Sequence, residues 1–374
     1  MININKEKIW LFFFLGKVFY MIFAVFVFSK LTILGDTERY ISASFPDLLS
    51  TIPFLSEDPA GPSTVLMDLI GAISRIISLN TILVHIPCVI LSFIGIRYAV
   101  LKLNLSTQEL ILLLAVLSFP SFGIWTSIVS KEAIGSFYMG IICGYLIEVL
   151  KVNRYRLNLL ELLAFYLCLL FKPQYMIAIL HILLIAFIFR LQLNAFINVL
   201  LIGVITVSEI IIIYYFSDLI ESFASLQHLH FSIEDSNSTR DDPWVNSGDF
   251  FKYAPVGMFV AFAGPTILEV MEKPIQAPFF IESVIICLIV FYWFVKSMYI
   301  KGFVYISLQN LSLWFFTYFW LLFVHYPFGA LNPGSGIRYR CNFLILFIVF
   351  GYYLYMSSNK SFDVVSLDKK RALD

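Results

Sequence analysis

The stretch Ile9–Ile33, IWLFFFLGKVFYMIFAVFVFSKLTI, decides the fold class of the chain. A helix needs about 20 mostly apolar residues to cross a bilayer, and charge interrupts this apolar run only at Lys17 and Lys30. The stretch is too long for the core of a signal peptide, and no small-residue cleavage site precedes Gly35-Asp36. The sequence therefore predicts a retained first membrane span.

The rest of the chain has the same character. Residues of the set AVILMFWYC make up 60% of it and charged residues 13%, whereas an ordinary globular domain is about 45–50% apolar and about 25% charged. This composition excludes a soluble protein and predicts an all-α polytopic membrane protein, with one integral membrane domain over residues 1–374. About ten transmembrane helices are expected from length and apolarity, at the approximate limits 9–33, 80–98, 107–125, 133–150, 157–172, 174–190, 194–216, 280–297, 302–325 and 338–357.

The placement of Lys and Arg predicts the sidedness of these spans, because positively charged short loops stay in the cytoplasm. Lys6 and Lys8 place the N-terminus inside, and the basic residues of alternate connections then also fall inside. The resulting topology has a short cytoplasmic tail at about 358–374 and two long extracytoplasmic loops, at about 34–79 and 217–279. Both termini are then expected to be cytoplasmic.

Two choices set this topology. A single helix over 157–190 would be about 50 Å long, too long for a hydrocarbon core of about 30 Å, so a break is predicted at Lys172-Pro173. The segment 256–279 contains Gly264-Pro265 and two glutamates, so it is predicted to be interfacial or re-entrant rather than a free span.

Several classes of chemistry are disfavoured. The chain has neither a P-loop nor a GxGxxG fingerprint, so no nucleotide site is predicted. Lys plus Arg equals Asp plus Glu at 25 each, which gives no reason to expect a nucleic-acid partner. The five cysteines form no CxxC pair, so neither a zinc site nor a disulfide frame is expected. We predict no cofactor, and the sequence does not support a divalent metal.

The first outward loop opens with GDTERY, residues 35–40. A carboxylate at the membrane surface can accept a proton from an attacking hydroxyl, provided that a neighbour such as Arg39 keeps it ionised and oriented. Asp36 is the candidate base, and Glu38 is the second carboxylate close to it in sequence. The alternative is structural, with Asp36 or Thr37 capping an interfacial helix.

Four cations are candidates for binding phosphate. Lys131 stands where two spans meet the surface, and Lys172 stands at the predicted break. Arg338 and Arg340 follow Asn332-Pro333-Gly334-Ser335, and arginine forks suit bidentate binding of phosphate oxygens. The alternatives are a helix cap paired with Glu132 for Lys131, and snorkelling or interfacial anchors for the others.

The remaining outward features suggest contacts with glycan and membrane. In the acidic loop, Asp241 and Asp242 stand near Trp244, a combination that can hold sugar by hydrogen bonds and ring stacking. The alternative is that the loop is polar only because it is exposed to water. The stretch 63–78 has apolar residues near helical spacing, which predicts an amphipathic helix on the outer surface.

Taken in order, GDxxxY after the first span, PSxxxWxSxxxKE at 120–132, a Gly-Pro segment followed by Ile281-Glu282-Ser283, and NPGSxxRYR at 332–340 form a set. This set resembles the bacterial polysaccharide repeat-unit polymerases of the Wzy-type and EpsG-like families, relatives of the GT-C-like membrane glycosyltransferases that use polyprenyl-linked sugars. The resemblance covers most of the chain.

The resemblance implies a location in the bacterial cytoplasmic (inner) membrane and polymerisation of undecaprenyl-diphosphate-linked repeat units at the outer face of that membrane, for O-antigen, capsule or exopolysaccharide. Asp36 would be the base or would orient the acceptor. Arg338, Arg340, Lys131 and Arg39 would hold the departing diphosphate. The implied partners are the lipid-linked glycan, membrane lipid and a chain-length regulator protein.

Three alternatives remain open. One is a glycosyltransferase with a polyprenyl-monophosphate sugar donor and the same architecture. Another is a lipid-linked oligosaccharide transporter or flippase, which would need ionisable groups along a path within the membrane. The third is a membrane acyltransferase, for which His325 is the candidate histidine. The candidates for the transport path are Lys17, Glu148, Glu161 and Glu209.

Overall fold

A computed structural model gives the architecture of the chain and describes residues 5–43, 61–78, 82–233, 240–241, 243–301 and 308–358. In these ranges the regular structure is helical and contains no strand, as expected of an all-α membrane protein. The helices are α1 (Lys6–Phe26), α2 (Thr37–Ser42), α3 (Pro62–Ser78), α4 (Ile86–Leu101), α5 (Thr107–Val116), α6 (Pro120–Trp125), α7 (Lys131–Val152), α8 (Leu159–Phe171), α9 (Met176–Arg190), α10 (Ala195–Tyr215), α11 (Ser217–Ile233), α12 (Asp249–Ala263), α13 (Ile267–Glu272), α14 (Ala277–Lys301), α15 (Leu308–Gly329), α16 (Pro333–Arg340) and α17 (Leu346–Ser358).

Seven helical segments in the described part are long and apolar enough to cross a membrane, which makes the chain a multi-pass membrane protein. Each overlaps one of the predicted spans. The other three predicted spans correspond to shorter helices, so the count of ten stays a prediction. The seven segments are Lys6–Lys30, Leu83–Leu101, Lys131–Val152, Pro173–Arg190, Ala195–Tyr215, Pro274–Met298 and Leu308–Gly329.

The predicted span 107–125 is divided into α5 and α6. Phe119 has extended backbone (φ −61°, ψ 149°), and Pro120 is the first residue of α6. Proline disfavours helical backbone at the residue before it and is well suited to a helix's first turn. Hydropathy alone does not detect this interruption.

The predicted break at Lys172-Pro173 is confirmed. Helix α8 ends at Phe171, Lys172 leaves helical geometry (φ −150°, ψ 64°), and a short 3-10 turn over Pro173–Tyr175 leads into α9. The helix predicted over 63–78 is also confirmed, as α3.

The segment 217–279, predicted as a long acidic loop, is largely helical in its described part. It contains α11, α12 and α13, and α12 ends before Gly264-Pro265, a cis peptide. Residues 44–60 of the first predicted loop and 359–374 of the predicted tail lie outside the described residues.

The chain divides into two compact units. The first takes its described residues from Met1–Ile147, Arg156–Gln174 and Cys341–Val349. In its core a Cβ on Gly140 of α7 would overlap the backbone of Gly95 on α4. Small residues allow such close helix contacts in membrane proteins.

The second unit takes its described residues from Glu148–Tyr155, Tyr175–Arg340 and Phe350–Asp374. Tyr326 of α15 is fully buried in it and packs against Phe250 and Ala254 of α12. The single integral membrane domain that the sequence predicts stays a prediction.

Candidate functional site

In the first unit, Asp36 immediately precedes α2. Its side chain makes no capping hydrogen bond; instead Tyr40 donates its hydroxyl to Asp36 Oδ2 at 3.3 Å. Thr37 is buried and donates to the carbonyl of Val129 at 3.0 Å. Asp36 is half-buried, which leaves it within reach of a ligand, and Glu38 is exposed.

Helix α3 lies against α2 at a close contact. A Cβ on Gly71 would collide with the backbone carbonyl of Tyr40, so the sequence must keep glycine here for the two helices to approach this closely. This contact brings one face of α3 to the predicted site.

Two side chains of α3 hold the two cations of the site. Asp68 Oδ2 lies 3.3 Å from Arg39 Nη2, and Lys131 donates its ammonium to Thr64 Oγ1 at 3.0 Å. We call the five residues Asp36, Arg39, Thr64, Asp68 and Lys131 the carboxylate–cation cluster. Three of the residues predicted from the sequence are therefore brought together from two separate segments.

Asp68 is the residue that the sequence analysis did not assign to the site. Only 9% of its side chain is exposed, and its Oδ1 is buried without a hydrogen-bond partner in the described part of the chain. Burial raises the pKa of Asp68, the opposite charges of Arg39 and Lys131 and the hydrogen bond from Arg39 lower it, and Asp36 raises it further. The net pKa lies above the ordinary value.

A sequence signal for Asp68 did exist. Thr64, Asp68, Gly71 and Arg75 follow one another at four, three and four residues, which places small and polar side chains on one face of an otherwise apolar helix. That pattern marks the face turned towards polar partners. It does not say which partners.

Lys172 and Glu38 complete the predictions for the first unit. Lys172 is half-buried at the end of α8, where its backbone N–H donates to the carbonyl of Cys168 at 2.8 Å. Glu38 lies on the exposed side of α2. The pKa of Asp68 responds to the charges of Asp36, Arg39 and Lys131, so Asp68 is a further carboxylate of the site, and the role of Glu38 stays a prediction.

In the second unit, Arg340 is fully buried and committed to neighbours. Its Nη2 lies 2.9 Å from Glu282 Oε1, and its Nη1 donates to the carbonyl of Phe262 at 3.0 Å and to the hydroxyl of Ser283. Exposure of the two charged side chains is 0% and 1%. Arg338 is half-buried, with its guanidinium 5.5 Å from the ring centre of Tyr339.

The predicted sugar contacts also belong to the second unit. Trp244 is half-buried, and its indole N–H donates to the hydroxyl of Tyr326 at 2.6 Å. Its ring packs edge-on against Tyr326 and tilted against Phe250. Asp241 is exposed, and Asp242 lies outside the described residues.

Arg240, which precedes Asp241, is an anchor that the sequence did not reveal. Its guanidinium binds both oxygens of Glu269, at 2.6 and 2.9 Å, and donates to the carbonyls of Gly329 and Ala330 at 3.0 Å. Burial raises the pKa of Glu269, but hydrogen bonds from Arg240 and Thr266 outweigh it and hold that pKa below its usual range. The ion pair therefore joins two parts of the acidic segment, and the two carbonyl contacts hold Arg240 at the end of α15.

Within the described ranges, no group of three or more His, Cys, Asp or Glu side chains is placed to hold a metal ion. Comparisons of the chain with protein-family models, with curated proteins and with solved structures found no match.

Proposed function

We propose that the chain is a membrane glycosyltransferase that polymerises undecaprenyl-diphosphate-linked repeat units at the outer face of the cytoplasmic membrane. The observation that supports this is the carboxylate–cation cluster. Two carboxylates and two cations gather beside a helix that is amphipathic and shorter than the spans. The sequence predicts that this helix lies on the outer membrane surface, where a lipid-linked sugar diphosphate would present its reacting bond.

The proposed reaction needs one base and one charge-neutralising site. Asp36 accepts the proton of the acceptor sugar hydroxyl as its oxygen attacks the anomeric carbon of the donor. The bond from that carbon to the diphosphate oxygen breaks, and the diphosphate leaves with the electron pair. Arg39 and Lys131 stabilise the negative charge that develops on it.

The surrounding residues fix these groups in place. Tyr40 bonds to Asp36, Asp68 to Arg39 and Thr64 to Lys131. Because the charged groups are held by neighbours in the fold, little reorganisation is required when charge develops. Arg338, Arg340, Lys172, Trp244 and Asp241 keep their roles as predictions from the sequence.

A transporter is the second candidate, favoured by one observation in the second unit. His181 of α9 is buried, and its Nδ1 lies 2.6 Å from Glu209 Oε1 of α10. Ionisable pairs inside membrane spans are functional candidates by default. The acyltransferase alternative is weakened, because His325 is fully buried and its Nε2 lies 3.2 Å from the Ala261 carbonyl.

The deciding experiment measures surface-glycan chain length by gel ladder in a strain that lacks this gene. Deletion should reduce the ladder to a single repeat, and native protein should restore it. Asp36→Asn and Lys131→Ala should restore at most a few repeats, although both should reach the membrane at normal levels. Lys30→Ala, which removes an exposed lysine outside the cluster, is the matched control and should restore it fully.

The same experiment separates the two candidates. If deletion removes all surface glycan and lipid-linked units accumulate inside the cell, export is the function. A full ladder with both Asp36→Asn and Lys131→Ala would remove the cluster from the reaction. Purified native protein that extends a lipid-linked repeat unit in liposomes would establish the transferase directly.

A further inference from the structure

The turn that precedes Lys131 is unusual because it is both irregular and buried. Helix α6 ends at Trp125 and α7 begins at Lys131, and all five residues between them, 126–130, are buried. Irregular backbone in a membrane protein needs partners for its polar groups, since lipid supplies none. Side chains from other segments supply those partners here.

Thr126 is the first anchored residue of the turn. Lys17 of α1 donates to its carbonyl at 3.1 Å and to its Oγ1 at 2.7 Å. Ser92 of α4 donates to the same carbonyl at 2.7 Å. Two different helices therefore hold one peptide group.

The second half of the turn is anchored in the same way. The backbone N–H of Val129 donates to His85 Nδ1 at 3.0 Å, and its carbonyl accepts from Thr37. Ser130 donates its hydroxyl to the Trp125 carbonyl at 2.6 Å and accepts from the N–H of Ala133 at 3.1 Å. Lys131, the next residue, therefore starts its helix from a fixed position.

Among the residues that hold the turn at 126–130, Lys17 is the one whose burial costs the most free energy. It lies within the first apolar span with 3% of its surface exposed, and its hydrogen bonds within the described part go to Thr126. A lysine inside a membrane span is expensive and is tolerated when it binds backbone carbonyls or an opposite charge. Burying a neutral polar residue at this position would cost less free energy than burying a lysine. We therefore expect the lysine to serve a function that depends on the turn.

We propose that Lys17 is a positioning residue for Lys131: it fixes the turn at 126–130, and this sets the place of the ammonium that receives the diphosphate. This inference rests on the proposed function for the role of Lys131. It gives the intramembrane lysine a purpose other than a transport path. It also gives a reason for Ser92 of α4 to hold the same carbonyl.

A double-mutant cycle in the full-length protein tests the proposal, with the turnover rate on lipid-linked repeat units in liposomes as the readout. Lys17→Met should lower the rate about tenfold or more, because small displacements of a charge-stabilising group are costly. If Lys17 acts through Lys131, then Lys17→Met should add nothing to the loss caused by Lys131→Ala. Losses that multiply would overturn the proposal.

Tyr20→Phe is the matched control. Tyr20 lies one turn along α1 and donates to the Ser118 carbonyl at 2.7 Å, which is outside the turn. Its loss should change the rate little, and whatever change it causes should multiply with that of Lys131→Ala. Thr126→Val removes one acceptor of Lys17 with little change of shape. It serves if Lys17→Met fails to fold, and it must show the same lack of additivity.

A second readout does not depend on the activity. Lys131→Cys is labelled with a water-soluble maleimide. Native protein gives the background labelling, which should be low because its five cysteines are buried or half-buried. Lys17→Met or Thr126→Val should raise the labelling rate severalfold, whereas Tyr20→Phe should not. Equal rates in all three backgrounds would overturn the positioning role. If native protein extends no glycan but the rates differ as expected, the proposed function fails while the frame around the turn stands.

Discussion

Breaking the buried ion pair between Arg340 and Glu282 should lower the free energy of unfolding by about 3–5 kcal/mol, the usual loss when one partner of a buried pair is removed. The structure supports the upper part of this range. Both side chains are essentially unexposed, and Arg340→Met also removes the hydrogen bonds to Phe262 and Ser283. What remains is a buried carboxylate without its cation.

Replacing both partners should restore most of the loss. Apolar residues of similar volume in place of a buried pair are often neutral or stabilising, so Glu282→Leu combined with Arg340→Met should unfold close to native protein. The assay is reversible unfolding by denaturing detergent in lipid–detergent discs, followed by the fluorescence of the six tryptophans. A loss below about 1 kcal/mol for Arg340→Met, or a double variant as unstable as the sum of the singles, would refute the reasoning.

The same pair of variants separates two roles of Arg340. If the arginine serves only the fold, the stable double variant should polymerise glycan normally. If it binds diphosphate, as the sequence suggests, the double variant should be stable but inactive. The glycan ladder reports which of the two holds.

Three further predictions concern the first unit and the sidedness of the chain. The fold raises the pKa of Asp68, so the folded state holds the proton of this carboxyl more tightly than the unfolded state does. The free energy of unfolding should therefore fall as pH rises from 3.8 through the raised pKa. Asp68→Asn should abolish this decline, and parallel pH profiles of native protein and variant would contradict the prediction. Gly71→Val should cost about 1–3 kcal/mol by forcing α2 and α3 apart, whereas Gly16→Ala, where a Cβ meets no atom within 4 Å, should cost nothing measurable. A single cysteine at Ser335 should react with a membrane-impermeant maleimide added to intact cells and one at Arg154 should not; the reverse pattern would invert the predicted topology.

Much of the helical architecture follows from local sequence. Apolar length places the seven long helices, and Pro173 after Lys172 ends α8 where a longer helix would not fit the bilayer. The division of 107–125 depended on a single Pro120 within an apolar run, so an averaged hydropathy does not reveal it.

The candidate site depends on contacts between residues distant in sequence, and these limit what the sequence could predict. Asp36, Arg39 and Lys131 were identified because charges beside spans are conspicuous. Asp68 was not, because its role follows from the contact of Gly71 with Tyr40, which no local pattern reports. Likewise, Arg340 and Glu282 both stand in the motif set, but the sequence did not predict that they pair across 58 residues.

Under the proposed function, Arg39 and Lys131 must lie close together before a phosphate binds, and the carboxylates of the cluster make this possible. With both carboxylates ionised, Asp36 and Asp68 balance the charges of Arg39 and Lys131, and each cation is held by a side chain of α3. An arriving diphosphate would draw Arg39 away from Asp68, and the raised pKa of Asp68 lowers the cost, because that carboxyl can take up a proton as its partner leaves. Asp36 accepts a hydrogen bond from Tyr40 and is half-buried, so its carboxylate is held in one place and can still be reached by an acceptor. If the proposed function holds, the two carboxylates have different tasks: Asp68 would release a cation to the leaving group, and Asp36 would accept a proton from the acceptor.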